Sequence, residues 1–174
     1  MPKTHRLTRR QSIARPIGEV FAFFADAANL EAITPPFLRF RIVTPLPIEM
    51  REGARIDYAL SLWGVPLRWR TLITCFEPNR RFIDEQEAGP YAYWHHLHEF
   101  EADGEGTRMT DEVTYRLPFG TLGALAHPLW VERQLAAIFD YREQAIVQWL
   151  ARAPAPDGGA GRPASEPRTK GANA

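Results

Sequence analysis

Short segments of strand-like composition, separated by turns that contain proline or glycine, fill the middle of the chain. In these segments apolar and polar residues alternate, or β-branched and aromatic residues are common, which is typical of strands in an antiparallel sheet. The pattern predicts six consecutive strands, which form a meander: Phe37–Thr44, Arg55–Trp63, Leu67–Phe76, Arg81–Glu87, Tyr91–Ala102 and Thr107–Leu117.

The segment before these strands carries two further patterns. His5–Arg15 is a mostly polar run with its apolar residues on one face, which suits an edge strand. Pro16 occupies a position favoured at the start of a helix, and it precedes an apolar helical face. Ala27–Ile33 is followed by two prolines that disfavour helical angles. We therefore expect two short helices after the first strand.

The segment after the strands has helical periodicity. From Pro128 onward, apolar residues such as Val131, Leu135, Ile138 and Trp149 recur at intervals of three and four. This spacing predicts one long amphipathic helix with a buried face. The complete order predicts an α+β, helix-grip fold, in which a curved antiparallel sheet of about seven strands wraps around the C-terminal helix. The space at its centre must be filled by side chains or by a ligand.

Length and composition indicate the domain organisation. With 174 residues and 45% apolar content, the chain suffices for one domain and is too short for two of ordinary size. We expect a single domain over residues 5–151. Residues 152–174 consist of alanine, proline, glycine, serine and scattered charge without apolar periodicity, which predicts a disordered tail.

Charge and cysteine content limit the classes of binding partner and the cellular compartment that we expect. Lysine plus arginine equals aspartate plus glutamate at 21 each, so no net field attracts nucleic acid. Cys75 is the only cysteine, which excludes an intrachain disulfide. The N-terminus lacks the apolar core of a signal peptide, and no apolar run approaches the roughly 20 residues needed to cross a bilayer. These features predict a cytoplasmic protein without stable membrane insertion.

The hairpin around Asp103-Gly104-Glu105-Gly106 gives the most informative register. Either a two-residue or a four-residue loop places His98 opposite Asp111, with apolar cross-strand pairs on both sides. Because this face is the more apolar one, we expect His98 and Asp111 to face the interior and to be the candidates for catalysis. The pair could act as a general base or orient a polar head group. Equally, it could be a satisfied internal hydrogen bond.

The sequence supports a metal site and nucleophilic catalysis less than it supports the His98–Asp111 pair. In His95-His96-x-His98 only His96 and His98 share a face, and no third histidine or thiolate is expected nearby, so no metal is predicted. The chain has no phosphate-cradling loop and no GxSxG elbow, and we expect no cofactor. The complete set of expected ligand-binding residues is Tyr58, Trp69, Asp84, Gln86, Trp94, His96, His98, Asp111, Tyr115, Leu135 and Ile138.

Three stretches, taken together with the element order, resemble a known superfamily: Asn29-Leu30…Ile33-Thr34-Pro35-Pro36-Phe37, Phe82-Ile83-Asp84-Glu85-Gln86…Gly89-Pro90…Trp94-His95-His96…His98…Phe100, and Asp111…Val113…Tyr115-Arg116-Leu117-Pro118-Phe119-Gly120. The chain resembles the SRPBCC superfamily from about Arg6 to Leu150, above all its bacterial ligand-binding branch. The resemblance implies a helix-grip fold with a hydrophobic cavity. Lipid-transfer START domains, birch-pollen-allergen-like proteins and polyketide cyclases share these features, so carriers, enzymes and binding modules all occur.

Three functions are compatible with these features. The first is binding or transport of a hydrophobic or amphipathic small molecule, such as a lipid, in the cavity. The second is a cyclase- or dehydratase-like enzyme that uses acid–base chemistry in the same cavity. The sequence favours it less, because His98 with Asp111 is the only strong candidate for that chemistry. The third is an accessory protein that meets a partner through Phe119–Pro128. A homodimer is left open.

Overall fold

The computed structural model describes residues 3–62, 64–118 and 130–152. Of the predicted tail, 152–174, Arg152 is instead the last residue of the long helix, and residues 153–174 lie outside the described residues, as does the apolar segment Phe119–Pro128. The elements in chain order are β1 (Thr4–Ile13), α1 (Ile17–Phe24), two 3-10 helices (Ala27–Leu30 and Pro36–Leu38), β2 (Arg41–Ile42), β3 (Arg55–Leu62), β4 (Val65–Glu77), β5 (Arg81–Ala88), β6 (Tyr93–Asp103), β7 (Gly106–Arg116) and α2 (Glu132–Arg152).

The strands of the described residues form one antiparallel sheet in the order β1-β7-β6-β5-β4-β3-β2. The long helix α2 packs beside it, and the short helices lie between β1 and β2 in sequence. The predicted α+β, helix-grip fold is confirmed. Among the described residues, no helix combines the length and apolar character that crossing a bilayer requires.

Two predicted elements before β3 are shorter than expected. Of the strand predicted at Phe37–Thr44, Arg41–Ile42 forms a regular strand beside β3, and the Val43 N–H still donates to the Asp57 carbonyl of β3 at 2.8 Å. A 3-10 turn takes up Pro36–Leu38, and Arg39 then adopts left-handed angles with φ of 44°. The helix predicted at Ala27–Ile33 is likewise a single 3-10 turn. Consecutive prolines prevent continuous helix or strand geometry in this segment.

The hairpin of β6 and β7 has the predicted register. Ala102 lies opposite Thr107, and the pairing continues through His98 opposite Asp111 to Trp94 opposite Tyr115. Gly104 occupies the tight turn with φ of 63°, a conformation that glycine adopts without steric cost. Since side chains alternate along a strand, this register sends both His96 and His98 to the concave face.

An aromatic cluster fills one end of the fold. Phe21 and Phe24 on α1 pack against Phe100 of β6, with ring centroids 5.3 and 5.5 Å apart, and Phe21 also meets Phe82 of β5. Ile146 of α2 is buried in the same cluster. This core fixes α1 and the end of α2 on the sheet, and the cavity lies beyond it.

Candidate functional site

An apolar cavity of about 570 Å³ lies between the sheet and α2. This volume is within the range of sites that hold drug-sized ligands. Strands β3 to β6, the short helices and α2 all contribute to its wall. Most of the lining side chains are aliphatic or aromatic, among them Phe24, Ile33, Leu38, Ile56, Tyr58, Leu60, Leu67, Trp69, Ile73, Phe82, Trp94, Leu135, Ile138 and Phe139.

Most of the predicted ligand-binding residues lie in this wall. The structure places eight side chains there: Tyr58, Trp69, Asp84, Trp94, His96, His98, Leu135 and Ile138. The other three do not line the cavity, for reasons that differ. Gln86 folds back on the turn, where its Nε2 donates to the Tyr91 carbonyl at 2.8 Å and its Oε1 accepts from the Tyr91 N–H at 3.1 Å.

Tyr115 and Asp111 are buried behind the cavity wall. Tyr115 stacks on His5, with ring centroids 5.5 Å apart, and burial raises the pKa of Tyr115 to about 12. The aromatic rings of Tyr91 and Trp94 pack against it from the cavity side. Asp111 is separated from the cavity by the two histidines.

His96 and His98 form the centre of a buried cluster between two carboxylates. Their rings lie 3.8 Å apart, centroid to centroid, and His98 also stacks on Phe82 at 4.1 Å. On the cavity side, Asp84 Oδ2 is 3.3 Å from His96 Nδ1 and 2.8 Å from His98 Nε2. Behind the rings, Asp111 Oδ1 is 3.0 Å from His96 Nε2 and 2.9 Å from His98 Nδ1. Each histidine therefore touches both carboxylates.

The hydrogen bonds of the cluster differ from the predicted pair. His98 and Asp111 are cross-strand neighbours as predicted, and Asp111 Oδ1 lies 2.9 Å from His98 Nδ1, but the contact is poorly aligned for a hydrogen bond. Asp111 accepts from His96, and His98 Nε2 bonds to Asp84. The sequence placed Asp84 among the ligand-binding residues, but the turn before β6 left its register to the histidines open. In the sheet, Asp84 lies opposite His96.

Contacts within the cluster shift the pKa values of Asp84, Asp111 and His96 toward the charged forms. Burial by itself would raise the pKa of Asp84 and of Asp111, but the coulombic attraction and hydrogen bonds of His96 and His98 outweigh it and hold both carboxyl pKa values well below their usual range. Burial would likewise lower the pKa of His96. The two carboxylates outweigh this effect and raise it. Both aspartates are therefore anionic, and protonation of His96 is favoured.

Further polar groups line the same cavity. Trp69 Nε1 donates to Thr71 Oγ1 at 3.0 Å, and burial raises the pKa of the neighbouring Tyr58 well above its usual range, so that phenol stays neutral. Arg142 projects from α2 with its guanidinium carbon 5.2 Å from the ring centroid of Phe139. Its Nε is buried without a hydrogen bond, and no carboxylate of the described residues forms an ion pair with it.

Comparisons with known proteins agree with this architecture. The crystal structure of the Zhui aromatase/cyclase from Streptomyces sp. R1128 has a TM-score of 0.68 at 16% identity, covering 86% of this chain and 95% of that chain. Protein Ms6760 from Mycobacterium smegmatis has a TM-score of 0.62 at 19% identity, and the match covers 84% of this chain and 90% of that chain. Protein TTHA0849 from Thermus thermophilus has a TM-score of 0.60 at 18% identity, and the match covers 86% of this chain and 100% of that chain. At these identities the likeness shows the fold alone.

Among curated proteins, none matches the chain. A family model described as polyketide cyclase / dehydrase and lipid transport matches residues 13–137, which is more than half of the sequence. This match covers β3 to β7 and with them the four members of the buried cluster. The chain therefore belongs to the polyketide cyclase / dehydrase and lipid transport family of the SRPBCC superfamily.

Proposed function

We propose that this protein binds an amphipathic small molecule with its apolar part in the cavity and an acidic group at Arg142. The observation that carries the proposal is the cavity itself, with its volume of about 570 Å³ and its predominantly apolar wall. Removing an apolar ligand from water contributes about 25 cal/mol for each Å² that is buried, so such a wall favours hydrocarbon or aromatic ligands. The family's description, which includes lipid transport, supports this class of ligand.

Arg142 supports an acidic group on the ligand. Its guanidinium lines a predominantly apolar cavity, and it has no carboxylate partner among the described residues. A cation in such surroundings is costly unless it is paired. A carboxylate of the ligand would provide the partner, with a two-pronged geometry that guanidinium groups favour.

Binding can be tested with an anionic fluorescent probe, 1-anilinonaphthalene-8-sulfonate, and its displacement by dodecanoic acid. The variant Leu67→Trp adds bulk to the cavity wall and is expected to weaken binding of dodecanoic acid on the order of tenfold, which is about 1.4 kcal/mol. Val65→Trp is the matched control, because Val65 lies on the same strand with 58% of its surface exposed. Equal affinities in the wild type and both variants would place the binding site elsewhere.

The variant Arg142→Met keeps the length and apolar stem of the side chain but removes its charge. We expect it to weaken binding of dodecanoic acid by roughly 10- to 100-fold, the range for a hydrogen bond to a charged group, and to leave 1-dodecanol nearly unaffected. Competition against the fluorescent probe, or calorimetry, measures both affinities. If acid and alcohol lose affinity equally, Arg142 supports the wall and does not recognise the ligand's acidic group.

A second candidate function, acid–base catalysis of the cyclase or dehydratase type, is favoured by one observation. His98 Nε2 and Asp84 lie together in the cavity wall at 2.8 Å, where a bound ligand could exchange a proton with them. Mass spectrometry of a natural ligand before and after incubation with the protein separates the two functions. A carrier returns the ligand unchanged, whereas a dehydratase releases a product that lacks one molecule of water.

A further inference from the structure

We propose that Asp84, His96 and His98 form a binding site for a divalent transition-metal ion of the Zn²⁺ class in the cavity wall, with Asp111 as the residue that positions both imidazoles. The ion would bind here whether or not the organic ligand proposed above is present.

The donor atoms converge on the cavity side of the cluster. Asp84, His96 and His98 each offer one donor atom, and these three atoms lie within 4.8 Å of one another. Around a tetrahedral ion with bonds of about 2.1 Å, donor atoms are separated by about 3.4 Å. The distance from Asp84 Oδ2 to His96 Nδ1, 3.3 Å, is close to this value, and the distance to His98 Nε2, 2.8 Å, is about 0.6 Å shorter. A small outward movement of the carboxylate therefore suffices for coordination.

Asp111 supplies the second feature of a metal site. Histidines that bind a metal through one ring nitrogen commonly have the other nitrogen held by a carboxylate, which fixes the tautomer and the ring orientation. Asp111 Oδ1 contacts the far nitrogen of both rings, at 3.0 Å from His96 Nε2 and 2.9 Å from His98 Nδ1. Both near nitrogens are thereby turned toward Asp84 and the cavity.

One contact within the cluster, between His98 Nδ1 and Asp111 Oδ1, is close but poorly aligned. His98 is only 5% exposed, yet its Nδ1 has no aligned hydrogen bond. A buried polar atom whose hydrogen bond is poorly aligned loses part of the free energy of that bond. Coordination at Nε2 would provide a compensating interaction, and a slight rotation of the ring would align Nδ1–H with Asp111.

The donor set selects the class of ion. Two imidazoles and one carboxylate suit Zn²⁺, Fe²⁺ and Co²⁺, whereas Mg²⁺ and Ca²⁺ prefer oxygen ligands alone. Three protein ligands leave at least one coordination position of a tetrahedral ion for water or for an oxygen atom of a bound ligand. Since Asp84, His96 and His98 line the cavity, that position faces the space where the organic ligand would lie.

Titration of the chelator-treated full-length protein with Zn²⁺ alone tests the site. Calorimetry is expected to give one ion per chain with a Kd of about 1 μM or tighter. Co²⁺ should produce the visible absorption of a four- or five-coordinate ion. In NMR spectra of the wild-type protein, Zn²⁺ should shift the imidazole signals of His96 and His98 and leave those of His95 in place.

Two variants distinguish the cavity site from metal bound at the surface. Asp84→Asn should weaken Zn²⁺ binding at least tenfold. His95→Ala is the matched control and should leave it unchanged, because His95 lies on the opposite face of β6 from His96, beside Glu85. Circular dichroism checks that both variants fold. If Asp84→Asn does not fold, the wild-type NMR titration decides.

Two outcomes would overturn the proposal. Binding weaker than millimolar would show that the cluster is an ion-pair network without a metal function. Binding that is lost in His95→Ala but kept in Asp84→Asn would assign the ion to the surface. Neither outcome affects the displacement assay with dodecanoic acid, which contains no metal, so the two proposals fail separately.

Discussion

Replacing Asp111 by asparagine is expected to lower the free energy of unfolding by about 3–5 kcal/mol, the cost of removing one partner from a buried ion pair. The carboxylate is 8% exposed and contacts both histidines at 2.9–3.0 Å. Asparagine preserves the shape but leaves His96, whose protonated form is favoured, with one anion instead of two. Urea unfolding measures the loss.

Asp57→Asn is the control for the loss of a charge as such. Asp57 also pairs with a cation, since Arg70 donates two hydrogen bonds to it at 2.7 and 3.0 Å, but the pair is exposed to solvent. Exposed ion pairs contribute between 0 and about 1 kcal/mol. If Asp111→Asn cost no more than Asp57→Asn, the buried cluster would contribute little to the stability of the fold.

The second large effect is expected from Phe100→Ala, which should cost about 3–5 kcal/mol because the residue lies in the filled end of the core. Phe100 is 2% exposed and is packed between Phe21, Phe24 and Phe82. Removing its ring leaves a hole enclosed by rigid aromatic side chains, which cannot collapse into it. Part of the loss is therefore the cost of the hole itself.

Phe139→Ala provides the matched comparison. Phe139 is nearly as buried, at 5% exposure, but it lines the existing cavity. Because part of its side chain borders the cavity, we expect a smaller loss than for Phe100→Ala, and a further change when the fluorescent probe is present. Equal losses in thermal or urea unfolding would indicate that the region beside Phe139 is packed as tightly as the aromatic core.

The proposed metal site and the proposed site for the ligand's acidic group lie in the wall of the same cavity. The cluster occupies β5 to β7, and Arg142 approaches from α2, so both polar features face one apolar space. A ligand with an acidic end could pair with Arg142, while an oxygen atom elsewhere in the ligand could reach the open coordination position. The two experiments, one with metal alone and one with dodecanoic acid alone, measure these contributions separately.

The local pattern of the sequence was sufficient to predict most strands, the long helix and the register of β6 with β7. Alternation of apolar and polar residues is a property of neighbouring positions, so the strands from β3 to β7 and the long helix could be predicted directly. The register of His98 with Asp111 followed because a turn as short as Asp103–Gly106 allows little variation. Face alternation then placed His96 and His98 on the concave side without any knowledge of distant contacts.

Other features depended on contacts between segments that the sequence does not specify. The pairing of Asp84 with His96 was open because β5 and β6 are joined by a longer turn, in which Gln86 folds back on Tyr91, and β4 carries irregular register shifts against β5. Only the structure showed that Asp111 bonds to His96 and that Asp84 completes the cluster. Side-chain rotamers of neighbouring buried groups are chosen jointly by packing and charge, and the strand pattern does not contain that choice. Asp84, the third donor of the proposed metal site, was therefore absent from the sequence-based assessment of a metal site, although it had been placed among the expected ligand-binding residues.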